Sequence, residues 1–240
     1  MKRLKYIFVI IAILTTSIWG GLRVYAVDTG FDIEKVSSER YESYLTGVKF
    51  NRLACDPEPT SIDFFDVNSN GRIVTATSSV SGDFICVYSA DGEFEYGFNF
   101  DSYGDCGVEW SGDDLLVCSV RGALIYELTP DGNIEGVYDI LDTEESRAYW
   151  RKSIYANKKA VNDKVYELKN DMGILNIVTF SHSQLACTDA DGNTEMIIDR
   201  NSQQLTVYIA CIVGSVLFFG LAVVISYFQY KENYKKSKEN

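Results

Sequence analysis

The stretch IDFFDVNSNGRIVTATSSVSGDFICVYSADGEFEYGF, from Ile62 to Phe98, decides the fold class. Its apolar runs are short, rich in β-branched and aromatic residues, and broken at Asn70-Gly71 and Asp91-Gly92. Asn-Gly and Asp-Gly between such runs are the strongest short-range hairpin signals, because a type I′ turn needs positive φ at both central residues. The stretch therefore predicts a lead-in strand, a turn, a strand, a short Gly-bearing connection, a strand, an Asp-Gly turn and a last strand. That is a four-stranded antiparallel meander.

The same order recurs in GVEWSGDDLLVCSVRGALIYELTPDGNIEGVYDI, from Gly107 to Ile140, around Asp131-Gly132. A third, degenerate unit is expected around Asp191-Gly192, built from VYELKND from Val165, ILNIVTF from Ile174, QLACT from Gln184 and NTEMIID from Asn193. The repeat predicts an all-β, propeller-like domain of three to four blades or an incomplete propeller, since repeated four-stranded meanders are the form of propeller blades. Roughly 175 outer residues at about 40–45 per blade allow at most four. A fourth unit, if present, falls at Val48 to Cys55. Asp28 to Leu45 reads as a polar leader or short helix, and Asp142-Thr-Glu-Glu145 as a capping box that opens an inserted helix through Trp150 and Lys152.

The first two units resemble NHL-type and related six-bladed propeller repeats, which carry a D-x-N-G-x-I/V turn and a later x-V-Y/F-x-x-D-G-x-F turn. Here those positions are Asp66 to Ile73, one residue longer than that turn, and Val87 to Phe94; Trp110-Ser111-Gly112-Asp113 replaces the first turn in the second unit. The resemblance covers about a third of the chain. It implies a binding platform more often than an enzyme and transfers no functional residue.

Working outward to the ends, Leu205 to Phe228 holds no Asp, Glu, Lys, Arg or His. At about 1.5 Å per residue this run crosses a hydrocarbon core of about 30 Å, so residues 205–228 are expected to form a transmembrane helix. Lys231, Lys235, Lys236 and Lys238 follow, which by the positive-inside rule puts the tail, residues 229–240, in the cytoplasm. At the other end Lys2, Arg3 and Lys5 precede an apolar run from Tyr6 to Leu22, and Val24-Tyr25-Ala26 resembles a cleavage site. Residues 1–26 are then either a signal peptide removed after Ala26 or an uncleaved signal anchor, which gives one span or two. Both readings place residues 28–203 outside the cytoplasm, at a cell membrane.

That outer part is acidic. Of 22 Lys and Arg, eight lie in the flanks and 14 remain, against 32 Asp and Glu. Such a surface repels phosphate backbones and excludes nucleic acid as a partner. Cys55, Cys86, Cys106, Cys118 and Cys187 lie outside and Cys211 within the span. An odd number cannot pair completely, one bridge is open, and the spacing fits no zinc site.

No catalytic constellation, metal site or cofactor motif is expected. Asp66, Asn68, Asn70 and Gly71 match the first half of a calcium loop, but its twelfth position is Thr77, and hairpin chemistry explains the same residues. Ser181 and His182 with an aspartate do not make a triad without an elbow motif. Trp110, Tyr149, Trp150 and Tyr155 are candidates for a recognition face, and Ala210 with Gly214 for a helix-packing site. The expectation is a membrane-anchored, extracytoplasmic binding protein with a protein partner. The alternatives are a cell-envelope enzyme or accessory subunit completed by a partner, and a structural subunit of a membrane complex.

Overall fold

The computed structural model describes residues 27–79, 82–101, 104–177, 179 and 181–239. The N-terminal apolar run and the Ala26 boundary lie outside the described residues. Three antiparallel meanders carry the chain. The first is β3 (Phe64–Val67), β4 (Ile73–Ser79), β5 (Gly82–Tyr88) and β6 (Phe94–Phe100). The second is β7 (Cys106–Ser111), β8 (Asp114–Ser119), β9 (Leu124–Leu128) and β10 (Ile134–Ile140). The third is β11 (Lys158–Val161), β12 (Lys164–Lys169), β13 (Gln184–Thr188) and β14 (Thr194–Asp199).

Two further strands blunt the outer edges. The strand β1 (Ile33–Lys35) pairs with β10, and β2 (Asn51–Arg52) pairs with β6. Covering an edge removes a row of unpaired backbone groups. Hence Val48 to Cys55 is not a fourth unit but an edge strand of the first sheet. The leader likewise contains a strand besides its helix, α1 (Ser38–Gly47). That helix lies along β10, where Arg40 forks onto Asp139 at 2.8 and 3.0 Å.

The third meander corrects one expected strand. The run from Ile174 is a 3-10 turn, Gly173–Ile177, and Lys158–Val161 supplies the missing strand. Gly173 sits at φ 58°, and the Asn176 side chain accepts from the Met172 amide at 3.0 Å, so local bonding closes the chain on itself there. The hairpin that replaces it turns at Asn162-Asp163, with φ of 49° and 61°, the true two-residue type I′ geometry.

The four Asx-Gly turns have a different form from the one expected. In each, three residues bridge the strands and only the glycine takes positive φ: 81° at Gly71 and Gly92, 86° at Gly132, 85° at Gly192. This is a type I turn closed by a G1 bulge. The residue opening each loop fixes it with its side chain. Asn68 Oδ1 accepts from Arg72 N, Ser89 Oγ from Glu93 N, Thr129 Oγ1 from Asn133 N and Asp189 Oδ1 from Asn193 N. The recurring signal is thus Asn, Ser, Thr or Asp three residues before the glycine.

Strand alternation places the first sheet in the middle. Phe64, Val74, Ala76, Ile85, Val87, Tyr96 and Phe98 point into one buried cluster shared with the second sheet. Phe65, Val67, Ile73, Cys86 and Tyr88 point into another, shared with Tyr166, Leu168, Leu185, Cys187 and Ile198 of the third. A sheet buried on both faces cannot shift register by one residue without exchanging the two sets. Each of the Val, Leu, Ile and Phe side chains among them contributes about 1.5–3 kcal/mol by leaving water. Neither cluster bridges the second and third sheets.

The glycine turns lock neighbouring sheets. A Cβ on Gly132 would lie 2.7 Å from the Phe98 ring, and one on Gly92 would lie 2.3 Å from the Ile197 carbonyl oxygen. The corresponding position on Gly192 has nothing within 4 Å. Each docked turn therefore sits on the last meander strand of another sheet, the second sheet's turn on β6 and the first sheet's on β14. The third sheet's turn is undocked, which puts the open joint between the second and third sheets.

On the second sheet's side of that joint lie the leader and an inserted helix, α2 (Glu144–Tyr149), continued by a π-helical turn, Trp150–Ile154. Thr143 caps α2, its hydroxyl accepting from Ser146 N at 3.2 Å, whereas Asp142 pairs with Arg147 at 2.7 Å. The cap is one residue later than the motif suggested. Phe31 meets Tyr149 and Trp150 edge-on, with ring centroids 4.8 and 4.9 Å apart. Gly107 is required beneath, since a Cβ there would stand 2.3 Å from Ile154 Cγ2.

Following β14 is α3 (Asn201–Glu239), and its Asn201–Lys231 part is long and apolar enough to cross a membrane. Among the described residues no disulfide joins any cysteine.

Candidate functional site

The first strands of the three meanders, β3, β7 and β11, gather where the sheets converge. Asp66 of β3 ties all three together. Its Oδ2 accepts from the Trp110 amide of β7 at 2.9 Å, and its Oδ1 meets Lys159 Nζ of β11 at 3.0 Å. Beside it Glu109, only 4% exposed, accepts from Tyr149 Oη at 2.6 Å and from the Thr29 hydroxyl. Burial pushes the Glu109 carboxyl up, against the pull of those two donors. This lattice joins the leader, the inserted helix and the three sheets, and its groups are satisfied by one another. It holds structure rather than a ligand.

The open feature lies at the other end of these strands. A cavity of about 450 Å³ is lined by Asp63 and Phe64 at the start of β3, Ser78, Asp105 just before β7, Tyr155 and Asn157 just before β11, and Ser181 and His182. Its volume falls within the range of small-ligand sites, about 300–1,000 Å³. The lining draws on every sheet, because the three first strands begin side by side. An isolated bridge, Ile62 N to His182 O at 2.6 Å, fixes the third sheet's contribution to the first.

The electrostatics of the cavity are acceptor-rich. Asp63 accepts from Ser78 N at 2.8 Å. Burial raises its pKa, the Ser78 bond opposes this, and Asp105 and Asp83 add to the rise. Burial also lowers the pKa of His182, which favours the neutral ring. Tyr155 is raised by burial and then by Asp105, yet the residue is still 46% exposed. No lysine or arginine lines the cavity among the described residues. The Ser181 hydroxyl accepts from Gln204 Nε2 at 3.0 Å, and among the described residues no hydrogen bond joins it to the His182 ring. The parts of a nucleophilic relay are therefore present in one place without the contacts that would couple them.

The other sequence candidates divide. Tyr155 reaches the cavity. Tyr149 and Trp150 pack the leader against the second sheet, and Trp110 lies under the Arg72 guanidinium, 5.1 Å from its ring centroid. Trp110, Tyr149 and Trp150, the residues of the expected recognition face, are thus each half-buried against the core. Ala210 and Gly214 lie exposed on α3. Asn68 and Asn70 belong to the turn, while Asp66 faces Lys159, so the calcium-loop residues do not converge. No group of metal-ligating side chains is found among the described residues. Sequence reading missed Asp63, Asp105 and Asn157. Their shared position just ahead of each meander's first strand was the available signal.

No protein-family model and no curated protein matches the chain. Several solved structures are similar, among them these three. A catalytically inactive virginiamycin B lyase from Staphylococcus aureus with quinupristin has TM-score 0.27 and 12% identity over 62% of this chain and 45% of that one. A protein of unknown function from Bacteroides caccae has TM-score 0.29 and 11% identity over 59% and 68%. A streptogramin B lyase has TM-score 0.26 and 10% identity over 62% and 43%. This chain spans less than half the length of either lyase. Superpositions this loose carry no argument; the propeller-like description stands on the strand orders and docked turns above.

Proposed function

We propose that this chain is a membrane-anchored binding protein. Residues 28–203 act outside the cytoplasm, α3 spans the bilayer, and residues 229–240 lie inside. The reading is supported chiefly by α3. Its apolar side chains are exposed on every side, with Phe218 at 69%, so nothing among the described residues covers them as a core would. In lipid a helix satisfies its own backbone, and such a surface is at home.

Binding rather than catalysis is proposed for the cavity between the sheets. Two carboxylates, a tyrosine, an amide and hydroxyls, with no lysine or arginine among the described lining residues, suit a positively charged group. The occupant we propose is a lysine or arginine side chain of a partner protein at the same membrane, since an incoming cation would offset the cost of holding Asp63 half-buried.

Carbonate extraction of membranes containing the full chain tests the anchor: retention in the pellet is expected, and release into the supernatant contradicts it. Mild crosslinking then tests the cavity. Partners recovered with the wild-type chain should be lost with Asp63→Asn/Asp105→Asn, and recovery that ignores both substitutions removes the cavity from the interface.

A further inference from the structure

One apolar feature outside α3 has no role in either buried cluster. In the 3-10 turn Gly173–Ile177, Ile174 is 81% exposed and Ile177 is 82%, more than the large apolar side chains of α3 among the described residues, which reach 69%. Leaving two isoleucines in water is unfavourable, and here the surrounding structure enforces it. Met172 is buried at the base, its amide donates to Asn176 Oδ1 at 3.0 Å, and the Thr179 hydroxyl donates to Leu175 O at 2.8 Å. The turn is built to present them.

Both ends of this loop are fastened to the first turn of α3. The Asn201 side-chain amide donates to Asp171 O at 2.6 Å and accepts from Asp171 N at 3.4 Å. Gln204, buried, donates from Nε2 to Ser181 Oγ at 3.0 Å. The Ser181 carbonyl also accepts from Asn170 Nδ2 at 2.7 Å, which closes the neck of the loop. The apolar run of α3 begins at Leu205, immediately after Gln204. The loop is therefore tied to the helix at the level where it would enter the bilayer. From Met172 to Phe180 the sequence carries no charged residue, in a chain where Asp and Glu number 34.

We infer that the Gly173–Ile177 turn dips Ile174 and Ile177 into the lipid interface beside α3. It forms a second membrane contact that fixes the tilt of the β-domain. The inference rests on reading α3 as a span. Its occupant is lipid rather than protein, because the loop is continuous, through Asn201 and Gln204, with the segment that meets lipid. Short apolar insertions at the headgroup boundary are favoured by the area they bury and by a neighbouring anchor that raises their local concentration. The Ser181 that anchors the loop also lines the cavity, so the same contact would hold the cavity close to the membrane surface.

The test uses the full chain, carrying Cys55→Ser and Cys211→Ser, in vesicles of zwitterionic and anionic phospholipid. A polarity-sensitive dye is attached through Ile174→Cys, Ile177→Cys, Val216→Cys on α3, or Asp191→Cys on the undocked turn. The dye at 174 and 177 should be quenched several-fold more by spin-labelled lipid than by aqueous iodide, as at 216, with the reverse at 191. Lipid quenching at 216 together with iodide quenching at 174 and 177 overturns the inference and leaves the span standing. Iodide quenching at 216 removes the span and the inference with it.

Discussion

Alanine at Gly92 and at Gly192 poses the same backbone problem in two different surroundings. Both glycines close a G1-bulged turn, at φ 81° and 85°. A Cβ in that left-handed region costs about 1–2 kcal/mol wherever it occurs. At Gly192 nothing lies within 4 Å of the added carbon, so that cost is the whole effect. At Gly92 the carbon would lie 2.3 Å from the Ile197 carbonyl oxygen and 3.0 Å from Ile197 Cγ2. Ile197 is the extra residue of a bulge in β14, flanked by Met196 and Ile198, which pair with Ala186 and Leu185 of β13, so its carbonyl can retreat only by disturbing those paired neighbours. Overpacking of this kind adds about 1–3 kcal/mol. Gly132→Ala should fall between, because its obstacle at 2.7 Å is the edge of the Phe98 ring, which can tilt. For a domain of this size each kcal/mol lowers Tm by about 2–4 °C. Thermal unfolding of the detergent-solubilised full chain, followed by intrinsic fluorescence, should rank the losses as Gly92→Ala, Gly132→Ala, Gly192→Ala. Equal losses at the three positions would show that the turns are not docked, and the reasoning about how the sheets lock together would fail.

Three further outcomes are expected. Lys159→Met leaves Asp66 with only the Trp110 amide; at 12% and 19% side-chain exposure the pair is neither buried nor free, so the loss should be about 1–3 kcal/mol, read as a lower urea midpoint. Adding Asp66→Asn to that variant should recover part of the loss, since Asn still accepts from Trp110. Asp63→Asn should raise Tm by a few degrees at pH 7–8. A carboxyl whose pKa is higher in the folded than in the unfolded chain destabilises when ionised, and the difference should shrink as pH falls through that raised pKa and vanish below the unfolded value of about 3.9. Tyr149→Phe removes one of two donors from buried Glu109 and should cost about 1–3 kcal/mol in the same urea assay.

Much of the fold was legible because its turns are written in residue types. Asn70-Gly71, Asp91-Gly92, Asp131-Gly132 and Asp191-Gly192 fall where strands reverse, and the units around the first three were delimited almost to the residue. What failed did so for local reasons. Asn162-Asp163 turns without a glycine, so β11 went unseen, and the apolar run from Ile174 imitated a strand that its own side-chain bonds prevent. The site was harder to read. Aromatics were chosen for their chemistry, but Tyr149 and Trp150 serve the leader, whose return to the second sheet no periodicity announces. Asp63, Asp105 and Asn157 are separated by about 40–50 residues each. Only the convergence of first strands makes them neighbours.

The most direct test of the proposed arrangement is the sidedness of the chain in intact cells. Cys55 is exposed in the β-domain, and Ser237→Cys, in a Cys211→Ser background, places a second thiol in the basic tail. A membrane-impermeant maleimide should label Cys55 in intact cells and reach position 237 only after the membrane is opened. Labelling at position 237 in intact cells, or protection of Cys55 until lysis, would contradict a tethered domain acting outside the cytoplasm.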